Sequence, residues 1–202
     1  MRAGRKKIPA RTRILEAALN LIVKRGGADV SMAEVARAAR VSRQAVYLNF
    51  ADRGELFLAI VRYCDEKRGL DQEIRNIREA PAGVEAMRRM VSLQARRNHE
   101  IWAPARAFDA VRRTDPAAER SWQDRLQHRL AGCRQIAGRL QQDGDLRPGM
   151  DVNAAADLLW AITSLRMWED LVLQRGWTAE KYEAQLNALL LGALTSRDPE
   201  PG

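Results

Sequence analysis

The chain holds only two cysteines, Cys64 and Cys133, and two histidines, His99 and His128, in 202 residues. The cysteines stand far apart without a C-x-x-C pair, so a disulfide framework is not expected and both read as buried free thiols. The histidines lack the close spacing and acidic neighbours of a ligand set, so no metal is expected. Aromatic residues make up only 5%, and no apolar run approaches the roughly 18 to 20 residues of a membrane span. Period-two stretches rich in Val, Ile and Thr are missing, which excludes a sheet. A Gly-rich phosphate loop, a Ser/His/Asp order and a convincing carboxylate pair are missing too, so neither an enzyme nor a cofactor is expected. The basic start from Met1 to Lys7 is not followed by an apolar stretch and a small-residue cleavage site. That argues against a secretory leader and for a cytoplasmic address.

What is present is helical and unevenly charged. Hydrophobic residues at 46% can build a core of ordinary size. The net charge of +8 has a location: residues 1–53 carry 12 Lys or Arg against 4 Asp or Glu, and the remainder is balanced at 22 each. A local surplus beside a neutral body points to an end that faces a polyanion.

The periodicity predicts an all-α protein of about nine helices. The first runs from Ala10 to Arg25, with Ile14, Ala17, Ala18, Leu21 and Ile22 on one face and Gly26-Gly27 as its stop. Ser31-Met32-Ala33-Glu34 has the S-x-x-E form of a capping box, opening a short second helix. Arg40-Val41-Ser42 interrupts it, and Ser42 caps a third helix from Arg43 to about Asn49. Asp52-Arg53-Gly54-Glu55 repeats the cap and opens a fourth. Beyond Gly69 the boundaries are less sharp, with Ala80-Pro81-Ala82-Gly83 the clearest break. A helix carrying Val84 to Leu93 is expected next, then a shorter one around Trp102 to Val111 with Pro104 near its start. Asp115-Pro116 marks a long helix through about Gln142. After a loop to Gly149, one helix is expected from Val152 to Gln174 and a last one from Ala179 to Thr195, capped by Thr178. Residues 197–202 read as a frayed tail.

The second and third helices have the makings of a helix-turn-helix, in which one short helix steadies another that enters the DNA major groove. Ala36 and Ala39 are small enough for the crossing, Val41 plugs the turn, and Val46 and Phe50 close the underside. The opposite face then presents Arg43, Gln44, Tyr47, Leu48 and Asn49. Arg pairs with guanine, Gln and Asn with adenine, and an apolar side chain meets the thymine methyl.

The run Ile14-Leu15-Glu16-Ala17-Ala18, the stretch Ser31 to Phe50 with its V-S turn and Tyr-x-x-Phe ending, and Glu55-Leu56-Phe57 resemble the DNA-binding domain of the TetR family over about residues 10–62. The resemblance implies a DNA-facing surface of Ser31, Ser42, Arg43, Gln44, Ala45, Tyr47, Leu48, Asn49 and Arg53. Ser31 and Tyr47 would touch phosphates, and Arg53 stands where the family usually has a phosphate-binding lysine. Two residues depart from the pattern. Arg40 stands where the family most often has glycine, at a cost of about 1 kcal/mol if φ is positive there. Asn49 replaces a frequent histidine. The layout implied is a basic arm (1–9), a DNA-binding domain (10–69, helix-turn-helix about 32–51), and a ligand-binding and dimerisation domain (70–196).

The last two helices are similar to those that pair with their copies in that family, at Ala155 to Trp160, Gly176-Trp177-Thr178 and Tyr182. The family typically holds a ligand between helices four to eight. The matching stretch here offers Met90, Trp102, Phe108, Trp122, His128, Trp160 and Met167 as lining residues. The expected partners are therefore a double-stranded DNA operator, a second copy of the chain and a small-molecule effector, with no membrane. The expected role is a ligand-responsive repressor; an architectural DNA binder without an effector is the alternative, and a helical enzyme the more distant one.

Overall fold

The computed structural model describes residues 8–27 and 30–196. The basic arm through Lys7 and the tail from Arg197 lie outside the described residues. Among the described residues, ten α-helices and a π-helical segment follow in order: α1 Ala10–Lys24, α2 Met32–Ala39, α3 Arg43–Asn49, α4 Arg53–Lys67, α5 Leu70–Arg78, α6 Gly83–Arg112, α7 Pro116–Gln142, α8 Val152–Ile162, α9 Leu165–Trp168, the π segment Glu169–Gln174, and α10 Ala179–Leu194. An isolated bridge between Leu146 and Thr195 is the extended pairing recorded among the described residues.

The helix starts follow from local chemistry. Ser31, Ser42, Asp52, Asp151, Ser164 and Thr178 each accept a backbone N–H from the first turn of the helix they open. Each such cap is worth about 1 kcal/mol.

Two expectations are corrected. The segment from Gly83 to Arg112 is one helix and not two, with Pro104 inside it. Proline in a helix interior costs about 3 kcal/mol, and burial of Ala103, Ala105, Ala107, Phe108 and Val111 around it offsets that cost. The segment from Val152 to Gln174 is not one helix but three pieces. Thr163 Oγ1 donates back to the Leu159 carbonyl at 2.6 Å, and Ser164 leaves helical geometry to cap α9 through the Met167 N–H at 3.1 Å.

The chain forms two compact units. The first joins α1 to α4 to residues Ile101–Trp122. Its core includes Ile14, Ile22, Val35, Val46, Phe50, Leu56, Ile60 and Phe108, with Trp102 and Trp122 packed against it. The second comprises Gly69–Glu100 and the residues from Gln123 onward. Met87, Leu140, Leu159, Trp168, Tyr182 and Leu190 are wholly buried there. The turn between α5 and α6 is tied to the end of α7: Arg139 donates to the carbonyls of Arg78 and Ala80 at 3.0 and 2.6 Å, and the Gly83 N–H donates to Asp143 at 2.6 Å.

Candidate nucleic-acid interface

The first unit builds a surface around α3. At the entrance to α2, the Glu34 N–H donates to Ser31 Oγ at 3.3 Å, while Ser31 donates to Glu34 Oε2 from its N–H at 2.9 Å and from its hydroxyl at 2.7 Å. The other Glu34 oxygen accepts from Arg25 at 2.6 Å. Arg25 first, and then Ser31, hold the Glu34 carboxyl at about 2, so it stays ionised. Arg25 thus ties the end of α1 to the start of α2.

The turn from α2 to α3 is a Schellman motif. The Val41 N–H reaches the Ala36 carbonyl at 3.1 Å and the Arg40 N–H reaches Arg37 at 3.2 Å, which satisfies carbonyls that the helix end would leave open. The geometry needs a left-handed residue, and Arg40 supplies it with φ 54 and ψ 48. It is the one non-glycine residue with positive φ among those described. The crossing of α2 and α3 is built as the pattern requires: Ala36, Ala39, Val46 and Phe50 are buried, and Val41 lies against the core. Arg11 closes the far end, donating to the Asn49 carbonyl at 3.1 Å with its guanidinium 4.5 Å from the Phe50 ring centre.

The outward face of α3 is left to solvent. Arg43 and Gln44 are exposed, and Tyr47 and Leu48 are 42% and 79% exposed. Tyr47 and Leu48 thus place apolar surface beside the polar Arg43 and Gln44 on a seven-residue helix. The Arg43 guanidinium lies 5.8 Å from the Tyr47 ring centre, extending along the surface. Ser42 caps the helix through the Ala45 N–H at 3.0 Å, and Ala45 is half-buried. Asn49 is turned back on its own helix, donating from Nδ2 to the Ala45 carbonyl at 2.8 Å. Ser31 is exposed at the α2 N-terminus, and Arg53 opens α4 half-buried with its guanidinium 6.0 Å from the Phe57 ring centre. Arg37 and Arg40 add exposed positive charge on the same two-helix unit.

Residues 14–60 match the family model described as "Bacterial regulatory proteins, tetR family". The segment runs from within α1 to the middle of α4 and contains the helix-turn-helix. No curated protein sequence matches the chain. Among solved structures it is similar to a proposed transcriptional regulator from Saccharomonospora viridis in complex with choline, at TM-score 0.78 and 21% identity, over 93% of this chain and 98% of that one. It is similar to the FadR transcriptional regulator from Bacillus subtilis in complex with stearoyl-CoA, at 0.71 and 17%, over 89% and 97%. It is also similar to NalD, the secondary repressor of the MexAB-OprM multidrug efflux pump in Pseudomonas aeruginosa, at 0.67 and 22%, over 93% and 96%. At these identities the likeness establishes the fold: a tetR-type helix-turn-helix followed by a helical C-terminal domain.

The seven aromatic, methionine and histidine candidates for a ligand site divide between the two units. Trp102, Phe108 and Trp122 belong to the unit with the helix-turn-helix, where the Phe108 and Trp122 rings lie 5.6 Å apart in its core. Met90, His128, Trp160 and Met167 belong to the other. There Met90 is buried, Trp160 and Met167 are half-buried, and His128 is exposed with Nδ1 2.7 Å from the Asp124 carbonyl. A surface groove of about 480 Å³ in that unit is lined by Glu73, Arg88, Arg89, Arg96, Glu183 and Asn187 among others, and by none of the seven. Its charges are largely paired within the groove, Arg89 with Glu85 at 2.8 Å and Arg96 with Glu73 at 3.6 Å. No helix among the described residues is long and apolar enough to cross a membrane.

Proposed function

We propose that the protein is a dimeric transcriptional repressor whose two α3 helices read the halves of a palindromic operator and which a small molecule releases from DNA. The observation that carries this reading is the exposed face of Arg43, Gln44, Tyr47 and Leu48 on a helix whose opposite face is locked into the core. One such helix gives few base contacts. A symmetric pair spaced about 34 Å apart, or a multiple of it, reads two half-sites at once.

A second copy would dock on α8 and α10. Leu158 on α8 and Leu189 on α10 are 39% and 51% exposed, beside exposed Ala154, Ala161, Ala184 and Ala188. Small residues with interspersed leucines suit close helix packing between copies. The solved relatives that hold choline and stearoyl-CoA support a small-molecule effector for this chain as well. Of the seven sequence candidates, we retain Met90, Trp160 and Met167 as lining, assign Trp102, Phe108 and Trp122 to packing, and set the exposed His128 aside.

The experiment is a mobility-shift titration with DNA flanking the coding region, repeated from low to high salt with excess non-specific competitor. A retarded band that survives competitor, weakens with salt and has dimer stoichiometry supports the reading. Binding that competitor removes completely would replace it with the architectural one.

A further inference from the structure

Along α7 the residues Leu126, Arg129, Cys133, Ile136 and Leu140 recur at steps of three and four, the spacing of a stripe that faces a core. Cys133, Ile136 and Leu140 are buried as that stripe requires. Arg129 holds the same register with a guanidinium. Its Nη2 donates to the Trp160 carbonyl at 2.6 Å and to Thr163 Oγ1 at 2.7 Å, and its Cζ lies 5.3 Å from the centre of the Trp160 ring. Trp160 stands in the last turn of α8, so the helix's partial negative end meets part of the charge.

Among the described residues no carboxylate meets the rest. The ionisable groups that the Arg129 charge acts on are the Cys133 thiol and the Tyr182 phenol. Both are neutral, since burial pushes the thiol up and the phenol up to about 12. Burial also pulls Arg129 below its ordinary value. Two polar atoms of these neighbours are buried without a hydrogen-bond partner: Tyr182 Oη and Trp160 Nε1. An indole N–H can only donate, and a phenol donates readily. A half-buried cation and two buried, unsatisfied donors therefore stand on α7, α8 and α10 with no anionic partner for the guanidinium among the described residues. The complementary group is a carboxylate, whose two oxygens match the guanidinium fork and which gains most where water is excluded.

We propose that Arg129, with Trp160 and Tyr182, holds the carboxylate of a small organic acid in the C-terminal unit. The proposal rests on the reading that the protein answers to a small molecule, and it names that molecule's charge. The half-buried Trp160 indole, already facing the guanidinium, offers the apolar body of such an acid a flat surface.

The test uses the full chain and two matched pairs of probes: indole-3-acetate with indole-3-acetamide, and decanoate with decanamide. Tryptophan fluorescence and thermal shift report binding, and release of bound operator DNA is scored in parallel. At least one acid is expected to bind tenfold or more tighter than its amide, and Arg129→Met to lose that preference. Arg129→Lys, which keeps the charge without the fork, should fall between. Tyr182→Phe covers the case in which Arg129→Met fails to fold. It removes a buried hydroxyl that has no partner, so it should raise the melting temperature of the protein alone while weakening acid binding several-fold. Amides binding as tightly as acids, acids binding Arg129→Met as they bind the parent, acid binding unchanged in Tyr182→Phe, or no acid binding at all would each overturn the proposal. An amide that binds and strips the DNA overturns the anionic assignment and leaves the effector reading standing. Acids that bind through Arg129 without releasing DNA support the site and overturn the effector reading.

Discussion

Gly83 and Leu140 touch backbone to backbone: a Cβ on Gly83 would stand 2.6 Å from the Leu140 amide nitrogen and 3.0 Å from its Cα. The start of α6 thus leaves no room for a Cβ against the last turns of α7, and the neighbouring atoms are backbone that cannot rotate away. Gly83→Ala is expected to destabilise the protein by about 1 to 3 kcal/mol, the range for overpacking a close contact. Gly132 and Gly138 provide the control, since both lie inside α7 with nothing within 4 Å of an added Cβ. Alanine there should stabilise by roughly 0.5 to 1 kcal/mol through helix propensity. Urea unfolding of the three variants reads both signs.

Arg40 carries a different backbone cost. A residue with a Cβ in the left-handed region loses about 1 to 2 kcal/mol relative to a favourable conformation, and Arg40 holds φ 54 to complete the turn. Arg40→Gly should therefore raise stability by about 1 kcal/mol. Arg40→Ala, which keeps the Cβ, should not. If the exposed guanidinium also meets the DNA backbone, both variants lose the same modest share of affinity, so the pair separates strain from charge.

The Ser31 and Glu34 box makes an acid-sensitive contribution. Glu34 is lowered from 4.5 to about 2 in the folded protein. A depressed carboxyl stabilises the fold above its unfolded value and loses that contribution as pH falls toward the folded one. Wild type should be more stable than Glu34→Gln at neutral pH, with the gap narrowing from about pH 4.5 downward and closing near pH 2. The Glu34 side chain is only 29% exposed but its partner Arg25 is 42% exposed, so the gap should be small and shrink further in high salt. Thermal midpoints across pH at two salt concentrations check both dependences.

The helix-turn-helix was legible because its signals are local. The boxes at Ser31 and Asp52 and the cap at Ser42 each act within one helical turn, and all three appear as hydrogen bonds. The exposure of Arg43 and Gln44 followed from helical period alone. Asn49 did not, because its return to the Ala45 carbonyl competes with outward presentation. The second half depends on side-chain fit that sequence patterns encode weakly. Pro104 looked like a helix start, yet buried alanines on both sides carry α6 through it. Ser164 was a readable cap inside what looked like a continuous apolar helix. Trp102, Phe108 and Trp122 had the composition of a pocket and the surroundings of a core. Arg129 was visible only as a charged residue in an apolar register, a signal that gains meaning once its neighbours are known to be neutral.

Arg43 and Arg53 are expected to divide the work of binding DNA. Arg43 begins the exposed helix, where its guanidinium can reach a base edge; losing a base contact costs about 1 to 3 kcal/mol at the cognate sequence and little elsewhere. Arg53 begins α4, half-buried beside Phe57, a position suited to a phosphate. Neutralising it should weaken cognate and random DNA alike and reduce the slope of log affinity against log salt by about one. Arg43→Ala should instead lower the ratio of cognate to random affinity at every salt concentration, by the roughly 5- to 150-fold that 1 to 3 kcal/mol represents. Fluorescence anisotropy with both DNAs from low to high salt measures the ratio and the slope together. A preserved ratio in Arg43→Ala would remove base reading from Arg43 and leave it to Gln44 and Leu48 on the same exposed face.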